Sequence, residues 1–133
     1  MKIEKIEGIG PVFAKKLIGI GIRSTGALLK AGATAAGRED VAARSGISET
    51  LILEWVNLAD LCRIKGIGEE YSDLLEEAGV DTVKELRNRR PDNLYKAIIE
   101  TNQAKKLVRR PPSQKMVEDW VAQAKILPPV VTY

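Results

Sequence analysis

Residues 6–17 read Ile6-Glu7-Gly8-Ile9-Gly10-Pro11-Val12-Phe13-Ala14-Lys15-Lys16-Leu17, and residues 64–68 repeat the opening as Ile64-Lys65-Gly66-Ile67-Gly68. At the same offset of 58, Leu17/Leu75, Gly21/Gly79, Ile22/Val80, Thr25/Val83 and Leu28/Leu86 also coincide. Repetition on this scale marks a duplicated supersecondary unit. Gly-apolar-Gly ahead of a helix has a specific physical content. Both glycines permit a tight turn with positive φ and leave no side chain to hold a ligand off the backbone, while the apolar residue between them enters the core. The next helix then begins with its free amides pointing outward and the positive end of its dipole behind them, which suits a phosphate. In the first copy Pro11 takes the helical position that tolerates proline. Ala14 leaves room for close packing, and Lys15 and Lys16 follow one turn later.

Read as apolar-x-Gly-apolar-Gly-Pro-x-x-Ala-Lys-Lys-apolar, Ile6 to Leu17 resembles the DNA-binding helix-hairpin-helix motif, particularly the form in family X DNA polymerases and in the N-terminal domains of strand-exchange recombinases. The resemblance implies that the hairpin amides hold one DNA strand by its phosphates without reading sequence. It points to Gly8, Ile9, Gly10, Val12 and Lys15 or Lys16 as contacts, and it allows a monovalent cation on the hairpin carbonyls. No other cofactor is expected.

A second hairpin closes each repeat. Gly46-Ile47-Ser48 precedes a long apolar helix, with Ser48 as its N-cap, so residues 3–60 read as one double-hairpin unit and Gly46 and Ser48 join the nucleic-acid-binding set. The corresponding place in the second repeat is Arg109-Arg110-Pro111-Pro112-Ser113, aligned through Ser48/Ser113, Trp55/Trp120, Val56/Val121 and Ala59/Ala124 at an offset of 65. The glycine is gone and the offset has grown from 58 to 65, seven residues. Binding there would rest on the charge of Arg109 and Arg110. The whole chain also resembles a bacterial domain-of-unknown-function family of small helix-hairpin-helix proteins, a likeness that assigns no activity. The expected division is a first unit over 1–60, a second, partly degenerate unit over 61–127, and a tail over 128–133 that is either a docking strand or disordered.

Helical periodicity dominates over strand alternation. It predicts helices near 2–7, 11–18, 24–31, 38–45, 49–64, 69–78, 82–89, 92–108 and 114–126, with Gly32, Gly46 and Gly79 as stops. Between Glu49 and Lys65 there is neither Gly nor Pro, and the segment is apolar on nearly all sides, the mark of a buried helix. The expected fold is therefore all-α, two tandem helix-hairpin-helix (SAM-like) units sharing this central buried helix. Trp55 and Trp120 read as core.

Composition narrows the function. The chain has 133 residues and 44% hydrophobic content, enough for a core. Cys62 is the single cysteine, which excludes an internal disulfide, and the lack of histidine removes imidazole chemistry and the usual transition-metal ligands. With no nucleophile, base or ligand set to be found, no enzyme and no metal site are expected. The first twenty residues interleave Lys and Glu with Gly and Ile, unlike a signal peptide or a membrane span, so a cytoplasmic protein without membrane contact is expected.

Charge separates the hairpins. The net charge is only +3, from 21 basic and 18 acidic residues, but residues 84–115 hold ten Lys or Arg against three acids, a local +7. After Gly66-Ile67-Gly68, by contrast, come Glu69, Glu70, Asp73, Glu76 and Glu77, which suit a helix start and repel a phosphate. Gly66, Ile67 and Gly68 are therefore read as structural or protein-facing, and the acids as solvated. The leading expectation is sequence-independent DNA binding by the first unit, with the basic segment extending the footprint and RNA left open as a partner. The alternative, from a different class, is a protein-interaction scaffold that docks through the acidic second hairpin.

Overall fold

Side-chain caps open five of the helices. Ser24 Oγ accepts the Ala27 amide (3.1 Å), Thr34 Oγ1 that of Gly37 (3.0 Å), Ser48 Oγ that of Leu51 (3.3 Å), Thr82 Oγ1 that of Glu85 (3.0 Å) and Ser113 Oγ that of Met116 (3.2 Å). Each bond satisfies an amide that a helix start leaves without an internal partner. The computed structural model describes all of residues 1–133 and contains helices α1 Pro11–Gly19, α2 Thr25–Ala31, α3 Ala35–Ser45, α4 Glu49–Leu61, α5 Glu69–Glu77, α6 Val83–Arg87, α7 Pro91–Lys105 and α8 Gln114–Ile126. A one-turn 3-10 helix at Ile3–Lys5 precedes them, and the only β feature is an isolated bridge between Lys2 and Ser24. The fold is all-α.

The chain forms two compact units, Met1–Asp60 with Val130–Tyr133, and Leu61–Pro129. In the first, α1 packs on α3 and on the 3-10 turn, and α2 packs on α3, around Leu17, Leu28, Ile52 and Trp55. In the second, α8 packs on α6 and α7, and α5 packs on α7, around Leu75, Leu86, Leu94 and Trp120. Each such side chain contributes about 1.5–3 kcal/mol by leaving water.

The repetition seen in the sequence is present in the backbone. After α1 and α5, Gly21 and Gly79 take φ of +91° and +100°. The next amides turn back identically, Ile22 N to Leu17 O (2.9 Å) and Val80 N to Leu75 O (2.8 Å). A β-carbon is disfavoured in that left-handed region, so glycine ends both helices.

Four boundaries differ from expectation, each for a local reason. The segment expected as a helix over 2–7 makes only a 3-10 turn, because it is drawn across to the chain before α2, with Ile3 N on Arg23 O (3.2 Å) and Thr25 N on Met1 O (2.9 Å). α3 begins at Ala35, three residues early, because Thr34 caps it. α7 stops at Lys105, not 108, because Lys106 turns left-handed (φ 52°). The helix expected over 49–64 ends at Leu61 because the chain turns into the second hairpin, with Ile64 N on Leu61 O (3.1 Å) and Ile67 N on Ile64 O (3.1 Å), and every residue of it from Trp55 to Leu61 is buried.

Residues 130–133 belong to the first unit. Thr132 N donates to Ala33 O (2.7 Å), and Tyr133 Oη donates to Asn57 Oδ1 (2.8 Å). The Arg38 guanidinium donates to Gly32 O (2.8 Å) and Thr132 O (2.7 Å) and lies 5.7 Å from the Tyr133 ring centroid. Arg38 is only 6% exposed, and these carbonyls and the ring face are what receive its charge.

One carboxyl gives the fold a pH dependence. Glu85 is raised from 4.5 to about 7, first by the hydrogen bond it shares with Asp81, then by burial and by the Asp81 charge. Between those two values the folded chain holds more protons than the unfolded chain, so this group's contribution to stability falls as pH rises from about 4.5 to about 7 and is level above. Thermal melts from about pH 5 to about pH 8 should show that decline in the wild type and a flatter line in Glu85→Gln. Parallel lines would remove Glu85 as its source.

Candidate nucleic-acid interface

The first hairpin is built on two aromatic rings. Ile9 is buried and its amide closes the turn on Ile6 O (3.1 Å), while Gly8 takes φ +91°. A β-carbon on Gly8 would lie 3.2 Å from Trp55 Nε1, so the turn is seated directly on the indole edge. The Phe13 ring packs on the same indole, with centroids 5.2 Å apart and planes tilted by 57°. Gly10, extended at φ −81° and ψ −177°, caps α1 without a side chain, and its carbonyl accepts Ala14 N at 2.9 Å. Pro11 has no amide, so Val12 and Phe13 carry the N–H groups that precede the first internal bond. Around them Gly8, Gly10, Pro11, Val12, Lys15 and Lys16 are all exposed, and Val12 is 67% exposed. Lys16 Nζ stands 6.0 Å from the Phe13 centroid. No acid lies in the first turn of α1, though Glu7 brings one negative charge to the approach.

The second hairpin has the same backbone and the opposite charge. Ile67 N closes on Ile64 O (3.1 Å), Gly66 takes φ +98°, and a β-carbon there would lie 3.0 Å from Trp120 Nε1. Tyr71 packs on Trp120 at 5.3 Å and 51°. Phe13 and Tyr71 are thus equivalent at the offset of 58, a pairing the sequence displays but helical periodicity does not single out. Gln123 clasps Lys65 by both main-chain atoms, accepting its amide (2.9 Å) and donating to its carbonyl (3.0 Å). Glu69 and Glu70 stand exposed in the first turn of α5. The carboxylates of Asp73, Glu76 and Glu77 gather within 4.8 Å of one another, and Lys105 engages Glu77.

The remaining predicted residues fall at separate places. Gly46 ends α3 at φ +75°, Ile47 is buried and Ser48 caps α4. Trp55, which carries the Gly8 turn, lies seven residues further along α4. The two hairpins of the first unit therefore meet this helix about 10 Å apart along its axis. Arg109 and Arg110 are exposed, with Arg110 O accepting Tyr71 Oη at 2.8 Å. The basic segment is narrower than its composition implies. Arg90 pairs with Asp92 (3.1 Å), Lys105 with Glu77, and Arg87 and Arg89 are half-buried, which leaves Lys84, Lys96, Lys106, Arg109, Arg110 and Lys115 as its exposed cations outside those two surface pairs.

The sequence profile of a known family matches residues 7–127, from just before the first glycine turn to just past the end of α8. The chain belongs to the DUF4332 family, a domain of unknown function. The match thus spans most of both compact units. Residues 130–133 fall outside the DUF4332 match. No curated protein and no solved structure matches the chain. No helix in this DUF4332 domain is long and apolar enough to cross a membrane.

Cys62 is half-buried, and burial is the main cause that pushes its thiol up, with the Ser72 hydrogen bond acting the other way. A thiol held in that form is a poor nucleophile.

Proposed function

We propose that this domain is a binding module of helix-hairpin-helix type that grips the phosphate backbone of DNA at its first glycine turn, without reading sequence and without catalysis. The observation that carries this reading is the contrast between two hairpins of one geometry. The first offers exposed glycines, the Val12 and Phe13 amides, no acid in its helical first turn, and Lys15 and Lys16 one turn on. The second places Glu69 and Glu70 where the phosphate would stand. Amides at a helix start attract an anion through their N–H groups and the helix dipole, and the lysines add charge that is not tied to any base edge.

The test is a titration of a labelled random-sequence duplex, and of a single strand, with wild type and with the Lys15→Glu, Lys16→Glu variant. If about four phosphates are neutralised, log K for the duplex falls against log salt with a slope of roughly −3.6. Both lysines are exposed, so the variant should melt with the wild type while losing binding. Salt-independent binding, or a variant that binds as well as wild type, would overturn the reading. No binding to either form at low salt would turn attention to a protein partner at the acidic second hairpin.

A further inference from the structure

One lysine holds a glycine's conformation. α3 ends on Gly46 (φ 75°), whose amide donates to Ala42 O at 2.9 Å, and α7 ends on Lys106 (φ 52°, ψ 47°), whose amide donates to Asn102 O at 2.7 Å. The two positions are the same C-cap in the two units. Lys106 is the only non-glycine residue in the chain with positive φ. A β-carbon there crowds the following carbonyl, a cost that glycine escapes and that the first unit does escape. Strain kept in this way points to a demand on the side chain.

The loop after Lys106 is pinned along its length. Asn102 brackets Val108, its Oδ1 accepting the Val108 amide (3.0 Å) and its Nδ2 donating to the Val108 carbonyl (3.1 Å). Val108 and Pro112 are buried, Tyr71 holds the Arg110 carbonyl, and Ser113 caps α8. The C-caps Gly46 and Lys106 are 60 residues apart and the N-caps Ser48 and Ser113 are 65 apart, so five residues have been added between these caps. Arg109 and Arg110 lie in that enlarged loop. Lys106, Arg109 and Arg110 are all exposed on it.

We infer that the loop from Lys106 to Arg110 is a phosphate-binding site of the second unit for the backbone of a nucleic acid. Three cations on a fixed loop take the place of the Gly46-Ile47-Ser48 turn. The inference rests on the nucleic-acid reading above for the class of its ligand, but the site shares no residue with the first hairpin. Fixing the main chain in advance lowers the ordering cost of binding, and the two guanidinium forks match phosphate oxygens.

Two full-length variants test it, Lys106→Gly and Arg109→Ala, Arg110→Ala. Lys106→Gly should melt a few degrees higher than wild type, yet bind duplex several-fold more weakly, with a salt slope smaller by about 1. Amide chemical shifts of the labelled full-length protein, titrated with a short random-sequence duplex, locate the contact. Shifts at 106–110 that shrink in the double-alanine variant support the site. Shifts confined to 8–16, with both variants binding as wild type does, overturn it and leave the first hairpin as the grip. Shifts at 106–110 alone sustain the loop and overturn the hairpin reading, and shifts at neither place overturn both.

Discussion

Trp55→Ala should cost the first unit about 3–5 kcal/mol, the range for emptying a fully buried aromatic site. Trp55 is almost wholly buried, and its loss removes three things together. The space it fills at the centre of α4 becomes a cavity, Phe13 loses the ring it packs on, and the Gly8 turn loses its floor. A small domain has only about 5–15 kcal/mol to lose, so a large part of the stability margin is at stake. The specific role of the indole edge is read by Gly8→Ala. That change forces an alanine into φ +91° and brings its methyl to 3.2 Å from Nε1. Combined with Trp55→Phe, which withdraws the edge, Gly8→Ala should cost less than it does alone. Urea unfolding followed by circular dichroism measures each corner of this cycle. A Trp55→Ala cost below about 1 kcal/mol, under the cavity range, would show that the turn does not depend on the ring.

Gly10→Asp should separate binding from stability in opposite directions. Gly10 caps α1 with an extended backbone that any residue adopts, and a β-carbon there meets nothing within 4 Å. Aspartate is a better N-cap than glycine by a few tenths of a kcal/mol, and its charge suits a helix start, so the variant should melt at or slightly above the wild-type temperature. The same carboxylate takes the Val12 and Phe13 amides that the proposal reserves for a phosphate and places a negative charge there. Hydrogen bonds to a charged group are worth about 1.5–3 kcal/mol, so duplex affinity should fall by roughly tenfold to a hundredfold. A fold that melts higher and still binds DNA as wild type does would remove the hairpin amides from the contact, whatever the lysines contribute.

What was legible in the sequence is what is decided within a few residues. Gly8 and Gly66 take the positive φ that side chains avoid, whereas their partners Gly10 and Gly68, read the same way, are extended helix caps at φ −81° and −114°, and Ser48 and Ser113 announce helix starts because a hydroxyl two or three residues ahead of an amide has a partner at hand. Trp55 and Trp120 were readable as core from their apolar surroundings. That they support the glycine turns was not, since the contact spans 47 residues in the first unit and 54 in the second (55 minus 8 and 120 minus 66). The equivalence of Phe13 and Tyr71 stands in the sequence at the offset of 58, and comparing aromatic positions across the repeat would have exposed it. Lys106 was hidden by its identity. A lysine gives no sign of a left-handed cap, so the sequence aligns the enlarged loop only through Ser48 and Ser113 and shows no counterpart to the cap at Gly46. The place of residues 130–133 was out of reach altogether, because nothing near Thr132 indicates a bond to a carbonyl 99 residues earlier.

That distant bond bears on how the protein is made. The first unit needs Thr132 and Tyr133 to receive the Arg38 guanidinium and to occupy Asn57, and the ribosome adds these residues only after the whole of α5 to α8. Domains generally fold as units during synthesis, the N-terminal one first. Here the Arg38 bond to Thr132 O and the Tyr133 bond to Asn57 cannot form until Leu61–Pro129 has been translated. The N-terminal unit is thus closed by the four residues that follow the second unit in the chain.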